Sequence, residues 1–186
     1  MNNNHPYRFL IIIIFLVLAV LTSVLIYTKA INSPIITGSL TTVRPTFGSI
    51  TIKNSEDTKR HPITDYLKLE ILVDSNQVDV VGYDFIIKFD TKAFDVIQVD
   101  SILSDFSLFK ISKENTLTIT GTKKLDATET NLLTNNTIVT LTLKPQKTGK
   151  FDFQLLSDLG KEKTQLVDTG SNVYYPKVNN IEIEIY

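Results

Sequence analysis

The hydrophobic pattern changes twice along the chain. Phe9 to Tyr27 reads FLIIIIFLVLAVLTSVLIY, 19 residues without a charge, a glycine or a proline. As a helix rising about 1.5 Å per residue this run spans about 28 Å, close to the thickness of a bilayer's hydrocarbon core. Thr22 and Ser23 are its only polar residues before the closing tyrosine, and helical hydroxyls can bond back to a carbonyl one turn earlier. Tyr7 and Tyr27 stand at the two ends, where amphipathic rings favour the headgroup level, and Pro6 suits a helix start. The pattern predicts a transmembrane helix over residues 9–28 behind a short N-terminal tail, residues 1–8. Thr28-Lys29-Ala30 offers a small-x-small cleavage site. A cleaved signal peptide normally has an apolar region of only about 7–15 residues, so the length favours a retained signal anchor.

From residue 29 to 48 the sequence KAINSPIITGSLTTVRPTFG has no helical period. Pro34 and Pro45 remove backbone donors and Gly38 and Gly48 loosen the chain, so the stretch reads as a Ser/Thr/Pro/Gly linker. It reaches about 25 Å as a coil and about 60 Å extended. The alternative at Ile35–Leu40 is a first edge strand of the following domain.

After Gly48 the period becomes two. Ile50 and Ile52 alternate with Thr51 and Lys53, and Leu67, Leu69, Ile71 and Val73 with Lys68, Glu70 and Leu72. Val81, Tyr83, Phe85, Ile87 and Phe89 alternate with Gly82, Asp84, Ile86 and Lys88. Leu117 and Ile119, then Val139, Leu141 and Leu143, then Phe151, Phe153 and Leu155, and finally Ile181, Ile183 and Ile185 continue the pattern. Strict alternation means one buried and one wet face per strand. Turn signals at Asp57-Thr58, Asp74-Ser75-Asn76 and Thr148-Gly149-Lys150 separate the runs. Residues 49–186 are therefore expected to form an all-β, antiparallel sandwich, long enough for one core.

Composition narrows the chemistry. The chain has no cysteine, which excludes a disulfide scaffold, a thiolate metal site and a cysteine nucleophile. Only His5 and His61 are present, and no acid–nucleophile pattern surrounds His61, which reads as a surface loop residue. The expectation is a protein that is not an enzyme and needs no cofactor or metal. A net charge of −1 argues against nucleic acid as a partner. Arg8, Lys29 and Arg44 are the only charged side chains before residue 49, so the strand-rich region holds 16 basic and 20 acidic groups and carries −4.

The segment Val81–Val99, VGYDFIIKFDTKAFDVIQV, resembles the early strands of cohesin domains, where Gly-x-Asp-Phe runs on to Tyr-Asp-Pro and an apolar strand. Thr91 replaces the usual proline and Phe94 the usual leucine, and both keep the turn and the core. Ile138–Lys144, Thr148-Gly149 with Phe151–Leu155, Leu166–Asn172 and Ile181–Ile185 are similar to later strands of the same family. The resemblance covers roughly residues 49–186. It implies a jelly-roll sandwich of about nine strands, related to carbohydrate-binding modules.

It also implies a function. Cohesins bind dockerins, small modules on secreted enzymes, and gather glycan-degrading proteins at a scaffold or cell surface. A lone cohesin-like domain behind an anchor would hold a dockerin-like partner in assemblies associated with polysaccharide breakdown. That places the chain in the plasma membrane as a single-pass protein with its C-terminal domain extracytoplasmic; the flanking charges of Arg8 against Lys29 and Arg44 are nearly balanced. The family uses one sheet face, and the matching residue here is Asp84, with Gly82, Ile86 and Lys88 as its outward neighbours. An exposed Ile86 between an acid and a base would be the contact centre; the alternative is a solvated Asp84 and Lys88 with Ile86 covered by a loop.

Two other readings stay open. A carbohydrate-binding module would use an aromatic platform, and without tryptophan the candidates are Tyr66, Tyr174, Tyr175 and Tyr186. A structural surface or adhesion subunit would self-associate through sheet edges. Asp74–Asp79 places oxygens at alternate positions but lacks the glycine and closing glutamate of a calcium loop, so a hairpin turn is expected. Asn135-Asn136-Thr137 is a glycosylation sequon in a glycosylating host, and Lys161–Lys163 reads as a solvated turn.

Overall fold

A computed structural model describes residues 46–160 and 162–186. The helix expected over residues 9–28 and the linker up to residue 45 lie outside the described residues, as does Lys161. The described residues form one compact unit.

The unit is built from fourteen strands among the described residues: β1 Thr46–Asn54, β2 Arg60–His61, β3 Leu67–Asp74, β4 Val80–Lys88, β5 Phe94–Ser101, β6 Phe106–Lys113, β7 Thr116–Lys123, β8 Asn136–Pro145, β9 Gly149–Leu155, β10 Asp158–Leu159, β11 Glu162–Lys163, β12 Gln165–Asp168, β13 Val173–Asn179 and β14 Ile181–Ile185. One layer runs β13-β1-β3-β8-β5. The other runs β2-β14-β9-β4-β7-β6, and β12 pairs with both β4 and β13, joining the layers at one side.

The expected strands are present, and the alternation buries the expected side chains. Ile50, Ile52, Leu67, Leu69, Ile71, Val73, Phe85, Ile87, Leu117, Ile119, Leu141, Phe153 and Ile183 all belong to one core. Phe94 of β5 meets Phe151 and Phe153 of β9 edge-on at 5.0 and 5.1 Å, which locks the two layers together.

Six expectations need correction. The strand count exceeds nine, because β6 adds an edge, the two-residue β2 extends a ladder, and β10 and β11 pair in a small sheet of their own. The sandwich is mixed rather than purely antiparallel: β1 runs parallel to β13, and β2 parallel to β14. Parallel neighbours need a long connection, and here nearly the whole domain supplies it, so no local pattern announces it. β1 also takes in Thr46, Phe47 and Gly48, which the sequence reading gave to the linker. Gly48 sits at a bulge where the register against β13 shifts, with φ 74°, and a Cβ there would strike the Asp74 carbonyl.

The fourth correction is one of parity. Val80, not Val81, is in the core, because β4 carries an extra residue opposite Val167–Asp168 and the bulge flips the faces before Gly82. The fifth concerns His61, which is only 1 % exposed. Its backbone opposes Ile185 in the β2–β14 pair and its carbonyl accepts from the Tyr186 N–H. Both ring nitrogens lack a hydrogen-bond partner, with Nδ1 3.6 Å from the Glu56 carboxylate. The sixth concerns Asp74–Asp79, which is a turn but not a hairpin, since β3 pairs with β1 and β8 and β4 with β7, β9 and β12: Asp74 Oδ1 accepts from Asn76 N and Asp79 Oδ1 from Asn131 N.

Candidate functional site

β4, β6, β7 and β12 together form the outer face that carries the residues singled out in the sequence. Their register lines side chains up in rows. Gln165, Asp84, Thr120 and Phe109 form one row; Ile86, Thr118 and Ile111 the next; Lys88, Thr116 and Lys113 a third. β7 thus presents Thr116, Thr118, Thr120 and Thr122 outward, a hydroxyl stripe made of β-branched residues that suit a strand.

Asp84 is half-buried in this surface. Thr120 Oγ1 donates to its Oδ1 at 2.6 Å and Gln165 Nε2 to its Oδ2 at 2.8 Å. Both donors are neutral, and no cation among the described residues lies within ion-pair distance.

Ile86 points outward by parity and lies outside the sandwich core, yet it is fully buried. The chain between β9 and β12 crosses here. Leu156 N donates to the Ile86 carbonyl, and the Ile86 N–H donates to Thr164 Oγ1 at 3.1 Å. The small β10–β11 hairpin then returns over the face, where Lys113 and Thr118 both bond the Glu162 carboxylate. These bonds, that from Lys113 first, hold the Glu162 carboxyl below the ordinary carboxylate range. An exposed Ile86 contact centre is therefore not what this face offers. Gly82 is also buried, against Val167, and of the four singled-out residues only Lys88 is freely exposed.

The exposed apolar groups of the face come instead from β6. Phe109 and Ile111 are 60 % and 56 % exposed, while Phe106 and Leu108 pack inward. The sequence reading missed this strand. Its signal is a pair of apolar residues of each parity, Phe106 and Leu108 against Phe109 and Ile111, which means apolar groups on both faces. Between Ile111 and the hairpin lies a cleft of about 310 Å³, walled by Ile86, Ile111, Thr118, Asp84, Glu162 and Lys163.

The tyrosines are dispersed. Tyr174 packs on Phe47 with ring centres 4.9 Å apart and donates to Asp168 Oδ2 at 2.8 Å. The ammonium of Lys163 lies over the Tyr175 ring at 5.6 Å, so Lys163 is not simply solvated. Tyr66 and Tyr186 are exposed, with the Arg60 guanidinium 4.7 Å over Tyr186. Asp168 closes the turn to β13. The side-chain amide and then the backbone N–H of Asn172, followed by the Tyr174 hydroxyl and Gly170, hold its carboxyl below the usual range. Asp168 in turn raises the Tyr174 hydroxyl.

No protein-family model matches the chain, and no curated protein sequence does. Among solved structures, the domain is similar to the cohesin module of a Clostridium perfringens family 33 glycoside hydrolase, with TM-score 0.63 at 12 % identity, covering 75 % of this chain and 97 % of that one. A type II cohesin from the Acetivibrio cellulolyticus cellulosome gives 0.61 at 14 % identity, covering 74 % and 95 %. A type I cohesin–dockerin complex from Clostridium thermocellum gives 0.59 at 18 % identity, covering 76 % and 100 %. The domain has the cohesin β-sandwich fold.

Proposed function

We propose that this chain is a membrane-anchored docking module. Residues 9–28 hold it in the plasma membrane as a single pass, residues 29–45 act as a tether, and the extracytoplasmic sandwich binds a dockerin-type protein module. The observation that carries the reading is the β12-β4-β7-β6 face: a polar centre with Phe109 and Ile111 exposed beside it, on a fold shared with cohesins determined in complex with dockerins. Aromatic and aliphatic groups supply affinity on such a surface, and the hydroxyl stripe and Asp84 supply register. The module performs no reaction. Its role is to hold secreted partners, of the kind associated with polysaccharide breakdown, at the cell surface.

The test is capture from the secreted proteins of the source cell on the full chain in detergent, read by mass spectrometry. Recovery of a small-module-bearing protein, lost with Phe109→Asp and weakened with Asp84→Arg, is the expected result. Recovery of glycans alone, or of the chain itself, unchanged by either variant, overturns it in favour of carbohydrate binding or self-association. Protease treatment of intact cells tests the topology: full protection of the C-terminal domain would place it inside.

A further inference from the structure

The cleft beside Ile111 has a chemical preference of its own. Its accessible walls are apolar at Ile111 and hydroxylic at Thr118 and Thr120, with the fully buried Ile86 beneath them. The charges that border it are not equally committed. Glu162 is bonded by Lys113 and Thr118, and the ammonium of Lys163 lies over the Tyr175 ring. Asp84 remains, half-buried and held only by the neutral donors Thr120 and Gln165. A carboxylate offers about four acceptor sites, and only two of these are taken. In a partly desolvated cleft its field is screened less than at an open surface.

Resting on the docking reading above, we propose that this cleft receives one lysine or arginine side chain from the partner. The methylene stem lies along Ile111, as long basic side chains lie along apolar surface elsewhere, and the cationic head reaches Asp84. An acidic side chain is repelled there. An uncharged aliphatic one fills the apolar walls but leaves the Asp84 carboxylate further desolvated and without a counter-charge. The cleft thus selects among partners by the sign of one anchor residue, while Phe109, at the β6 end of Asp84's row, serves any apolar contact.

The chain has no cysteine, so Phe109→Cys carries a single trifluoromethyl label beside the cleft and leaves its walls intact. The full chain in detergent is titrated with Nα-acetyl-lysine amide, Nα-acetyl-arginine amide and Nα-acetyl-norleucine amide, the last being a stem of similar length without the charge. The expected result is a saturable fluorine shift with the two cations, at least about 10-fold weaker or absent with norleucine amide and in Asp84→Asn. Equal responses to lysine and norleucine amides overturn the proposal, and this comparison needs no change at Asp84. So does an Asp84→Asn protein that binds the cations unchanged. The two readings fail separately. A saturable cation response with no captured protein overturns the docking function, whereas capture without cation selectivity overturns the cleft.

Discussion

Replacing Gly121 by alanine should cost the domain far more than the single methyl suggests. Gly121 lies opposite Tyr83 in the β4–β7 ladder, and the Tyr83 ring lies across it. A Cβ on Gly121 would overlap Cζ, Cε1 and the hydroxyl of that ring, well inside van der Waals contact. The ring has nowhere to go: it is 1 % exposed and stacked against Phe85 at 4.6 Å and Phe106 at 5.6 Å. Overpacking of this kind costs about 1–3 kcal/mol, and disturbing an aromatic pair adds about 0.5–1.5 kcal/mol. Together they give about 3 kcal/mol, or a fall in Tm of about 10 °C for a domain of this size. The assay is thermal and urea unfolding of residues 43–186 followed by circular dichroism. Gly82→Ala is the control, since its nearest new contact would be an ordinary 3.6 Å, and it should stay within about 0.5 kcal/mol. In a Tyr83→Val background the Gly121→Ala penalty should fall to about 1 kcal/mol, giving a coupling of about 2 kcal/mol. A Gly121→Ala protein melting within about 2 °C of the parent, or an undiminished penalty in the valine background, would refute the reasoning.

Three further outcomes are expected. His61→Phe should match the parent or exceed its stability by up to about 1 kcal/mol, because it removes two buried nitrogens without partners; a loss above about 1 kcal/mol in urea unfolding would mean the imidazole is satisfied. Thr164→Val should destabilise by about 1–3 kcal/mol, since it strips the acceptor from the buried Ile86 N–H, and hydrogen exchange at that amide should rise with it. The Asp168 carboxyl sits below its unfolded value, so its contribution is present above about pH 4 and is lost as pH falls through the folded value. The Tm gap between parent and Asp168→Asn should therefore close on acidification, and a gap constant from pH 7 to 2.5 would contradict this.

Much of the domain was legible because alternation is a local property. The runs at Leu67–Val73, Leu117–Ile119 and Ile181–Ile185 report burial face by face, and the core follows from them. What escaped was set by distant chain. A bulge opposite Val167–Asp168 decided whether Val80 or Val81 faces inward. Ile86 reads as outward and is outward, but the excursion between β9 and β12 covers it, and no residue near Ile86 encodes that cover. His61 looked like a loop residue because its strand is two residues long and borrows its partner from the last strand. On the candidate face, resemblance singles out Asp84 and parity its neighbour Lys88. Phe109 and Ile111 are found by neither, because apolar residues of both parities in β6 blur the very period on which the reading relied.

The pairing of β1 has a mechanical consequence. Any load arriving through the residues before Thr46 enters the domain at the start of a strand held on both edges, by β13 in parallel and by β3 in antiparallel register. Pulled along its axis, β1 cannot peel away one bond at a time. The ladder from Ser49 to Asn54 against β3, and the pairs Ser49–Lys177, Ile50–Val178 and Thr51–Asn179 against β13, must shear together. Tension is shared between two strands distant in sequence before it reaches the β4 face. A sandwich whose first described strand closes against one of its last thus resists tension along that strand by shear of two ladders at once.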